Sequence, residues 1–291
     1  MKGQSGELDA YRQFSAAGRR WRTYPLYEVT CTLRGFLPLS RTGFERRLDG
    51  ALGEAGRRGR GFYIAGFAAR RALGSALVID IDPGVLREKL QVEFMEGEQV
   101  RLVRDKFLGA GDWSPLLRTI RHSSTYREVA EIIKFGFDYR QAQAYREALE
   151  RASGSRPKKR NFVVLNTPKR VEQYYRQTAE TCRSIAERGV VRRIDYGRRF
   201  ADSRPWIRLP WIELGELDVG VAIGAKGEIY RFASGKHRTA AAQALGLKSM
   251  PVEIRMVHAD WLKQRIAESG STPIDALLSG VRGLGVSSAS V

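Results

Sequence analysis

The chain has 291 residues, of which 43% are hydrophobic and 10% aromatic, and this composition excludes a wholly disordered protein. Fifty Lys and Arg residues against 32 Asp and Glu residues give a net charge of +18. Such a surplus favours polyanionic partners, including nucleic acid, nucleotides, anionic lipid and acidic polysaccharide, without choosing among them. The length allows one large domain or two modest ones.

Cysteine, histidine and hydropathy patterns exclude several further classes. Cys31 and Cys182 are far apart and indicate neither a structural disulfide nor a metal site, and the three histidines form no zinc pattern. The first twenty residues contain no apolar core of a signal peptide, and no run approaches about 18 apolar residues. We therefore expect a cytoplasmic protein with no membrane span and no metal site of its own.

The N-terminal half is predicted to mix short strands and helices. Residues 24–33 read as a strand, 41–55 as a helix or a basic loop, and 62–67 and 76–81 as strands, followed by short mixed elements. A Gly-rich turn then carries Asp112 and Trp113. Packing of Trp113 on the core is the structural interpretation of this turn, and an acceptor-substrate pocket is the functional one.

A helical hairpin is predicted next, with helices over 125–135 and 138–151. Thr125 and Glu128 have the spacing of a capping box, in which Thr125 begins the first helix. The hairpin is interpreted either as a packing unit or as a DNA-reading helix-turn-helix. The basic segment 153–160 then reads as a linker or a surface loop.

The second half begins with a strand at 161–165 and a long helix that starts at Thr167-Pro168 and ends at Gly189. Cys182 lies on the apolar stripe of this helix, so we interpret it as a core thiol. Residues 190–210 interleave arginines with aromatic residues, a pattern suited to a nucleic-acid strand or a nucleotide base. A partner-docking loop or a lid over a phosphate site is equally consistent with it.

Residues 228–254 organise the rest of the chain. A strand at 229–233 runs into a polar loop, an Ala-rich helix follows at 239–245, Gly246 ends it, and a buried strand is predicted at 250–254. A loop between a strand and a helix N-terminus exposes backbone N–H groups at the positive end of the helix dipole, which makes an anion site. The alternative is an ordinary turn with exposed charges. The residues of the expected site are Ser234, Gly235, Lys236, His237, Arg238 and Thr239.

This stretch resembles the core motif of the ParB/sulfiredoxin-like superfamily. The resemblance lies in Gly235-Lys236-His237-Arg238 with its Ala-rich helix, in Leu245-Gly246-Leu247 and in Pro251-Val252, and it covers roughly residues 165–265. It implies an α+β fold with a mixed sheet in the C-terminal half, and a loop that binds the phosphates of a nucleoside triphosphate with Mg²⁺. Carried onto this chain, Gly235 permits close approach, His237 and Arg238 contact phosphate oxygens, and Thr239 adds a hydroxyl.

The loop departs from two branches of that superfamily at Lys236. Sulfiredoxins have a cysteine directly after the glycine, so thiol chemistry is not expected here, and the acidic residue of the partitioning proteins is missing as well. A catalytic carboxylate must therefore come from elsewhere, where it positions the metal or activates a hydroxyl. The candidates are Glu228 on the strand beside the loop, and Glu213, Glu216 and Asp218 before the partner strand.

Three functions follow from these patterns. We expect first a nucleotide-phosphate-binding protein that acts as an NTP-dependent phosphotransferase or NTPase. The alternatives are a ParB-like DNA-binding protein, favoured by the net charge of +18, and a non-catalytic module for an anionic partner. The predicted organisation is an N-terminal α+β region at 1–160, a ParB/sulfiredoxin-like domain at 161–267 and a flexible tail at 268–291, with one short helix expected around 274–281.

Overall fold

The computed structural model describes residues 40–58, 61–96, 99–103, 106–154, 156–160, 163–192 and 218–285. The strand predicted at 24–33, Cys31, Glu213, Glu216 and most of the Arg-rich segment 190–210 lie outside the described residues. No helix of the described part is both long enough and apolar enough to cross a membrane.

Eight α-helices belong to the described residues. They are α1 (Arg41–Arg58), α2 (Gly66–Leu73), α3 (Ser124–Lys134), α4 (Gln143–Ala152), α5 (Pro168–Arg188), α6 (Lys236–Ala244), α7 (Ala259–Ser269) and α8 (Pro273–Leu284). Short 3-10 turns occupy Gly74–Leu77, Pro83–Val85, Ser114–Leu116 and Tyr139–Gln141. The helix expected over 138–151 is therefore a 3-10 turn followed by α4.

Twelve strands accompany these helices in the described part of the chain. They are β1 (Gly61–Ala65), β2 (Val78–Ile81), β3 (Glu88–Leu90), β4 (Glu93–Glu96), β5 (Gln99–Leu102), β6 (Lys106–Ala110), β7 (Leu117–Thr119), β8 (Lys158–Arg160), β9 (Val163–Leu165), β10 (Val219–Ile223), β11 (Ile229–Phe232) and β12 (Met250–His258). The strand predicted at 62–67 thus ends at Ala65, where α2 begins directly.

The main sheet has eight strands and mixes parallel with antiparallel pairs, which confirms the expected α+β class. Seven of its strands follow the order β1-β6-β12-β10-β11-β3-β7, and β2 also pairs with β12. The pairs β10–β12, β12–β6 and β11–β3 are parallel, and the others are antiparallel. The sheet takes strands from both sides of residue 160, so the ranges 1–160 and 161–267 share it.

Strand β12 is the central strand of the sheet, and all of its residues except Pro251 are buried. One of its edges pairs with β10, and the other pairs first with β2 and then with β6. Pro251 lies at the start of β12, next to the first residue that pairs with β10, as expected of a proline in a sheet.

Helices α3, α5 and α6 pack against one another beside the loop at 233–236. The small side chains of Ala240, Ala241 and Ala242 are fully buried, so α6 lies close to its neighbours. The Gln243 amide nitrogen donates to the carbonyl oxygens of Pro83 (2.8 Å) and Leu86 (2.7 Å), which ties α6 to the segment that leads into β3. Loop, helix and β3 therefore form one unit.

Several caps and packing roles predicted from the sequence are confirmed. Thr167 caps α5 and accepts a hydrogen bond from the backbone N–H of Arg170, Gly189 ends that helix, and Cys182 is a buried free thiol. Burial raises the pKa of Cys182 to about 12, as expected of an inert core cysteine. Trp113 is also buried, with its ring 4.8 Å from that of His258, so the structural interpretation of its turn holds.

The start of α3 differs from the capping box predicted at Thr125. Ser123 is the N-cap, because its side chain accepts a hydrogen bond from the backbone N–H of Tyr126, and Thr125 is buried inside the first turn. Glu128 is buried too, and its carboxylate pairs with the guanidinium of Arg160. The Glu128 carboxylate, predicted from local spacing to cap the helix, thus forms a long-range ion pair instead.

Two further expectations are corrected by packing. The supposed linker contains β8, which pairs with β9, because Lys158 and Arg160 find the carboxylates of Glu147 and Glu128 instead of solvent. The region expected to be a flexible tail contains α8. This helix buries four apolar side chains, so it is longer and better packed than the short helix predicted there. They are Ile274, Ala276, Leu277 and Val281.

Candidate functional site

The loop between β11 and α6 has a tightly specified backbone. Ala233 and Gly235 both have positive φ, at 63° and 84°, so the chain reverses over three residues before α6 begins at Lys236. The Ser234 hydroxyl is buried and donates to the backbone oxygen of Asp218 at 2.6 Å. This hydrogen bond fixes the loop to the start of β10, and Ser234 therefore supports the loop backbone.

Lys236 is the first residue of α6 and lies among other cations. Burial is the main cause that lowers the pKa of its ammonium group, and the positive charges of Arg160, Arg231 and Lys89 lower it further. The carboxylate of Glu128 acts in the opposite direction. Burial destabilises the charged form of such a lysine, so an anion that contacts the ammonium group in place of the lost water stabilises it.

Arg231 contributes a second partly desolvated cation just before the loop. Its guanidinium donates to the backbone oxygen of Ser234 at 3.4 Å, and burial lowers its pKa to about 10. Since arginine keeps its proton under nearly all conditions, this side chain stays charged at neutral pH in spite of its burial. The loop thus has a permanent positive charge beneath it.

Strand β3 brings Lys89 to the same place. Lys89 is the register partner of Arg231 in the parallel pair β11–β3, and Arg118 is its partner in the antiparallel pair β3–β7. Burial lowers the pKa of Lys89, and the charges of Arg231 and Arg118 lower it further. We call Arg118, Lys89 and Arg231 the cationic row.

His237 and Arg238, in the first turn of α6, contact Tyr174 and Asp218. The His237 Nε2 lies 3.1 Å from the hydroxyl of Tyr174 on α5, in a hydrogen bond whose donor depends on the tautomer. A guanidinium nitrogen of Arg238 lies 4.0 Å from a carboxylate oxygen of Asp218, a residue that is 5% exposed. Both side chains are half-buried.

The predicted carboxylates differ in where the structure places them. Asp218 lies against the loop, as needed for a role there. Glu228 lies in the hairpin turn at the far end of β11 and accepts a hydrogen bond from the backbone N–H of Lys226 at 3.0 Å. Because β11 separates that turn from the loop, the expectation that Glu228 lies beside the phosphate site is wrong. Glu216 and Glu213 are outside the described residues.

Thr239 is less available than the sequence indicates. Its side chain is fully buried in the first turn of α6, and its hydroxyl has no hydrogen-bond partner among the described residues. Its backbone N–H donates to the carbonyl oxygen of Gly235 at 2.8 Å, the first bond of the helix. A surface ligand therefore meets Lys236, His237 and Arg238 before it meets Thr239.

A bound metal would have few protein ligands here. The described residues contain no group of three or more His, Cys, Asp or Glu side chains that could hold a metal ion. Mg²⁺ is commonly held by one or two carboxylates together with substrate phosphates, and Asp218 is the predicted carboxylate that lies beside the loop. Comparisons with protein-family models, with curated proteins and with solved structures returned no match.

Several residues of the site were missed by reasoning from the sequence. Arg118, Lys89 and Arg160 lie on short strands far from the loop in sequence, and Tyr174 lies on α5, 63 residues before His237. A signal existed for Arg231, since it is a basic residue inside an otherwise strand-like run. Charged residues are uncommon in strand interiors unless they are paired or serve a site. Here Arg231 lies opposite Lys89 in the strand pair β11–β3.

Proposed function

We propose that this chain binds the phosphate groups of a nucleotide at the loop Ser234–Arg238 and the N-terminus of α6. The observation that carries the proposal is the charge around Lys236. Three cations, Arg160, Arg231 and Lys89, act on it against one acid, Glu128, in a partly buried setting. An anion bound there removes mutual repulsion and replaces lost hydration at the same time.

The helix geometry supports the same ligand. Lys236 begins a nine-residue helix, so free backbone N–H groups and the positive end of the dipole coincide with the basic side chains. Gly235 has no side chain to block the approach of a phosphate to that backbone. The resemblance of this motif to the ParB/sulfiredoxin-like superfamily implies the same ligand class, a nucleoside triphosphate with Mg²⁺.

Calorimetry with nucleoside mono-, di- and triphosphates tests the proposal directly. We expect the Lys236→Gln variant to weaken binding about 10- to 100-fold, the range for a charge-assisted hydrogen bond. Ala variants of His237 and Arg238 should also lose affinity. Lys248→Gln is the matched control, because Lys248 is an exposed lysine just beyond the same helix. Unchanged affinity in Lys236→Gln, or no binding by the wild type, contradicts the proposal.

The position of Asp218 favours a second candidate function, phosphoryl transfer or NTP hydrolysis at the same loop. A carboxylate beside bound phosphates orients an attacking hydroxyl or contributes to holding Mg²⁺, which would neutralise phosphate charge when bound. The Asp218→Asn variant should then bind nucleotide but lose turnover. Nucleotide binding without phosphate release or transfer across a substrate panel would leave a binding module instead.

DNA binding is the alternative function that the net charge of +18 favours. Affinity for duplex DNA with a steep salt dependence, unaffected by Lys236→Gln, would favour it over nucleotide binding. Absence of DNA binding at low salt removes it.

A further inference from the structure

The cationic row crosses three successive strands of the main sheet. Arg231 on β11 is the register partner of Lys89 on β3, and Lys89 is the register partner of Arg118 on β7. Neighbouring strands lie about 4.8 Å apart, so the three backbone positions span about 10 Å across the sheet. Register partners point to the same face, so the row is a continuous line of positive charge.

Like charges directly opposite one another on paired strands destabilise a sheet. Burial is the largest cause that lowers the pKa of Lys89, and the positive charges of Arg231 and Arg118 lower it further. Glu88, the neighbouring residue on β3, points to the opposite face because side chains alternate along a strand. The chain therefore maintains three cations in a row at a cost in stability, which indicates an anionic ligand.

The row connects with the loop at one end and with solvent at the other. The charges of Arg231 and Lys89 lower the pKa of Lys236, so this lysine continues the row at the N-terminus of α6. Arg118 is exposed on β7, the last strand of the sheet as described, where its guanidinium donates to the backbone oxygens of Pro115 and Leu117. The row thus extends from an exposed arginine at this edge of the sheet to the lysine at the loop.

We propose that the cationic row is a second subsite, which extends the loop site into a channel for a linear chain of three or more phosphates. One phosphate lies at Lys236 and the N-terminus of α6, and the following ones lie along Arg231 and Lys89 in the direction of Arg118. This inference rests on the proposed function, because the first phosphate occupies the loop. It adds the length and direction of the phosphate chain.

A single phosphate does not account for this arrangement. A phosphate carries at most two negative charges near neutral pH and reaches one or two neighbouring cations, whereas the row and Lys236 present four over more than one strand spacing. A chain of phosphates places successive charges along a line and can neutralise them all. The row therefore matches a linear oligophosphate, the part shared by nucleoside triphosphates and inorganic tripolyphosphate.

A series of inorganic phosphates measures chain length without a base or a sugar. Orthophosphate, pyrophosphate and tripolyphosphate are titrated by calorimetry, without divalent cations, into the full chain and three variants. These are Lys89→Gln in the row, Lys236→Gln at the loop, and Lys106→Gln as a control. Lys106 is a half-buried lysine on strand β6 of the same sheet, outside the row.

We expect tripolyphosphate to bind the wild type about tenfold more tightly than pyrophosphate, as one added charge-assisted contact gives. Lys89→Gln should lose that increment and keep the orthophosphate affinity, Lys236→Gln should weaken all three ligands, and Lys106→Gln should match the wild type. Equal affinity for pyrophosphate and tripolyphosphate, or an increment that survives Lys89→Gln, overturns the second subsite and leaves the loop site intact.

Two other outcomes separate this inference from its premise. If the wild type binds none of the three phosphates, the proposed function fails along with the subsite. A short oligothymidylate with a 5′-hydroxyl end distinguishes a phosphodiester backbone from an oligophosphate. If it binds more tightly than tripolyphosphate and loses affinity in Lys89→Gln, the row belongs to a nucleic-acid strand and the oligophosphate assignment is overturned.

Discussion

Gly235 lies directly against Val219, the first residue of β10. A Cβ atom added to Gly235 would lie 2.8 Å from the Val219 Cγ2 and 2.9 Å from its Cα, distances that real Cβ contacts essentially never show. Together with the hydrogen bond from Ser234 to the Asp218 backbone, this contact seats the loop on the start of β10. The position of α6 therefore depends on the absence of one side chain.

The Gly235→Ala variant should unfold more easily and bind phosphate more weakly, because the loop must move away from Val219. Gly246→Ala is the matched control, since Gly246 also has positive φ, at 66°, but an added Cβ meets nothing within 4 Å. The control should lose about 1 kcal/mol from backbone strain alone. Gly235→Ala should lose about 1 to 3 kcal/mol more from overpacking, as measured by urea denaturation. Equal losses would contradict the contact.

Lys236 should take up a proton when the phosphate binds. Its pKa is lowered by burial and by Arg160, Arg231 and Lys89, against Glu128, so the unliganded lysine releases its proton earlier than an exposed lysine as pH rises. A bound anion favours the charged form. We expect proton uptake at alkaline pH, seen as a binding enthalpy that changes with the ionisation enthalpy of the buffer.

The same lowered pKa has a consequence for folding with a definite sign. Between the folded and unfolded pKa of Lys236, the unfolded chain holds more protons, so the free energy of unfolding increases as pH rises through that window. Lys236→Met should remove this increase and the proton uptake together. A pH profile that is the same in wild type and variant would contradict the assignment.

Glu172 should stabilise the helical part of the protein at neutral pH. Its carboxylate accepts hydrogen bonds from the hydroxyls of Tyr139 (2.5 Å) and Tyr145 (2.7 Å), and also from Arg176 and Arg140. In that order of importance these donors lower its pKa from 4.5 to about 2. The stabilisation is complete above the unfolded pKa and disappears as pH falls toward 2.

Replacing Glu172 with Gln should therefore cost about 1 to 2 kcal/mol at pH 7, with allowance for partial exposure of the carboxylate. The cost should shrink steadily in urea denaturation series carried out at lower pH. Glu187→Gln, a change at an exposed position of the same helix, serves as the control and should have little effect. A cost that is constant from pH 7 to pH 3 would show that the carboxylate charge is not responsible.

The charge of Lys89 should lower the free energy of unfolding while it raises the affinity for an oligophosphate. The Lys89→Met variant removes the central charge of the cationic row while it keeps a long side chain, so repulsion with Arg231 and Arg118 disappears. We expect a gain of about 0.5 to 1 kcal/mol in the free energy of unfolding, the scale of an unfavourable cross-strand pair. Lys106→Met should bring no such gain. Loss of stability in Lys89→Met would mean that its charge is compensated in the free protein.

The local elements near the loop could be predicted because local chemistry determines them. The left-handed stop at Gly246 and the Pro-initiated helix at Thr167 each depend on residues a few positions apart. Asp218 was predicted only to precede the partner strand, and the short hairpin of β10 and β11 returns the chain from there to the loop. The start of α6 was predicted three residues late, because Gly235 begins it in a left-handed conformation that the sequence alone does not show.

The rest of the site depends on pairing between distant segments. Local spacing connected Glu128 with Thr125, whereas the fold pairs Glu128 with Arg160, 32 residues away. The row depends on β3 and β7 lying beside β11, and short strands such as Glu88–Leu90 contain too few residues to reveal their neighbours. The predicted position of Glu228 was wrong because β11 is extended. Glu228 is close to the loop in sequence, but the full length of that strand separates the two in space.

Strand β12 has a consequence for synthesis of the protein on the ribosome. Strands β2 and β6 lie on one of its edges, yet β6 ends at Ala110 and β12 begins at Met250, so about 140 residues separate them. At about 5 to 20 residues per second, β6 waits roughly 7 to 28 s for β12, and β2 waits longer. During that interval the backbone N–H and C=O groups on the strand edges that later pair with β12 lack their partner, and unpaired strand edges make a nascent chain prone to aggregation.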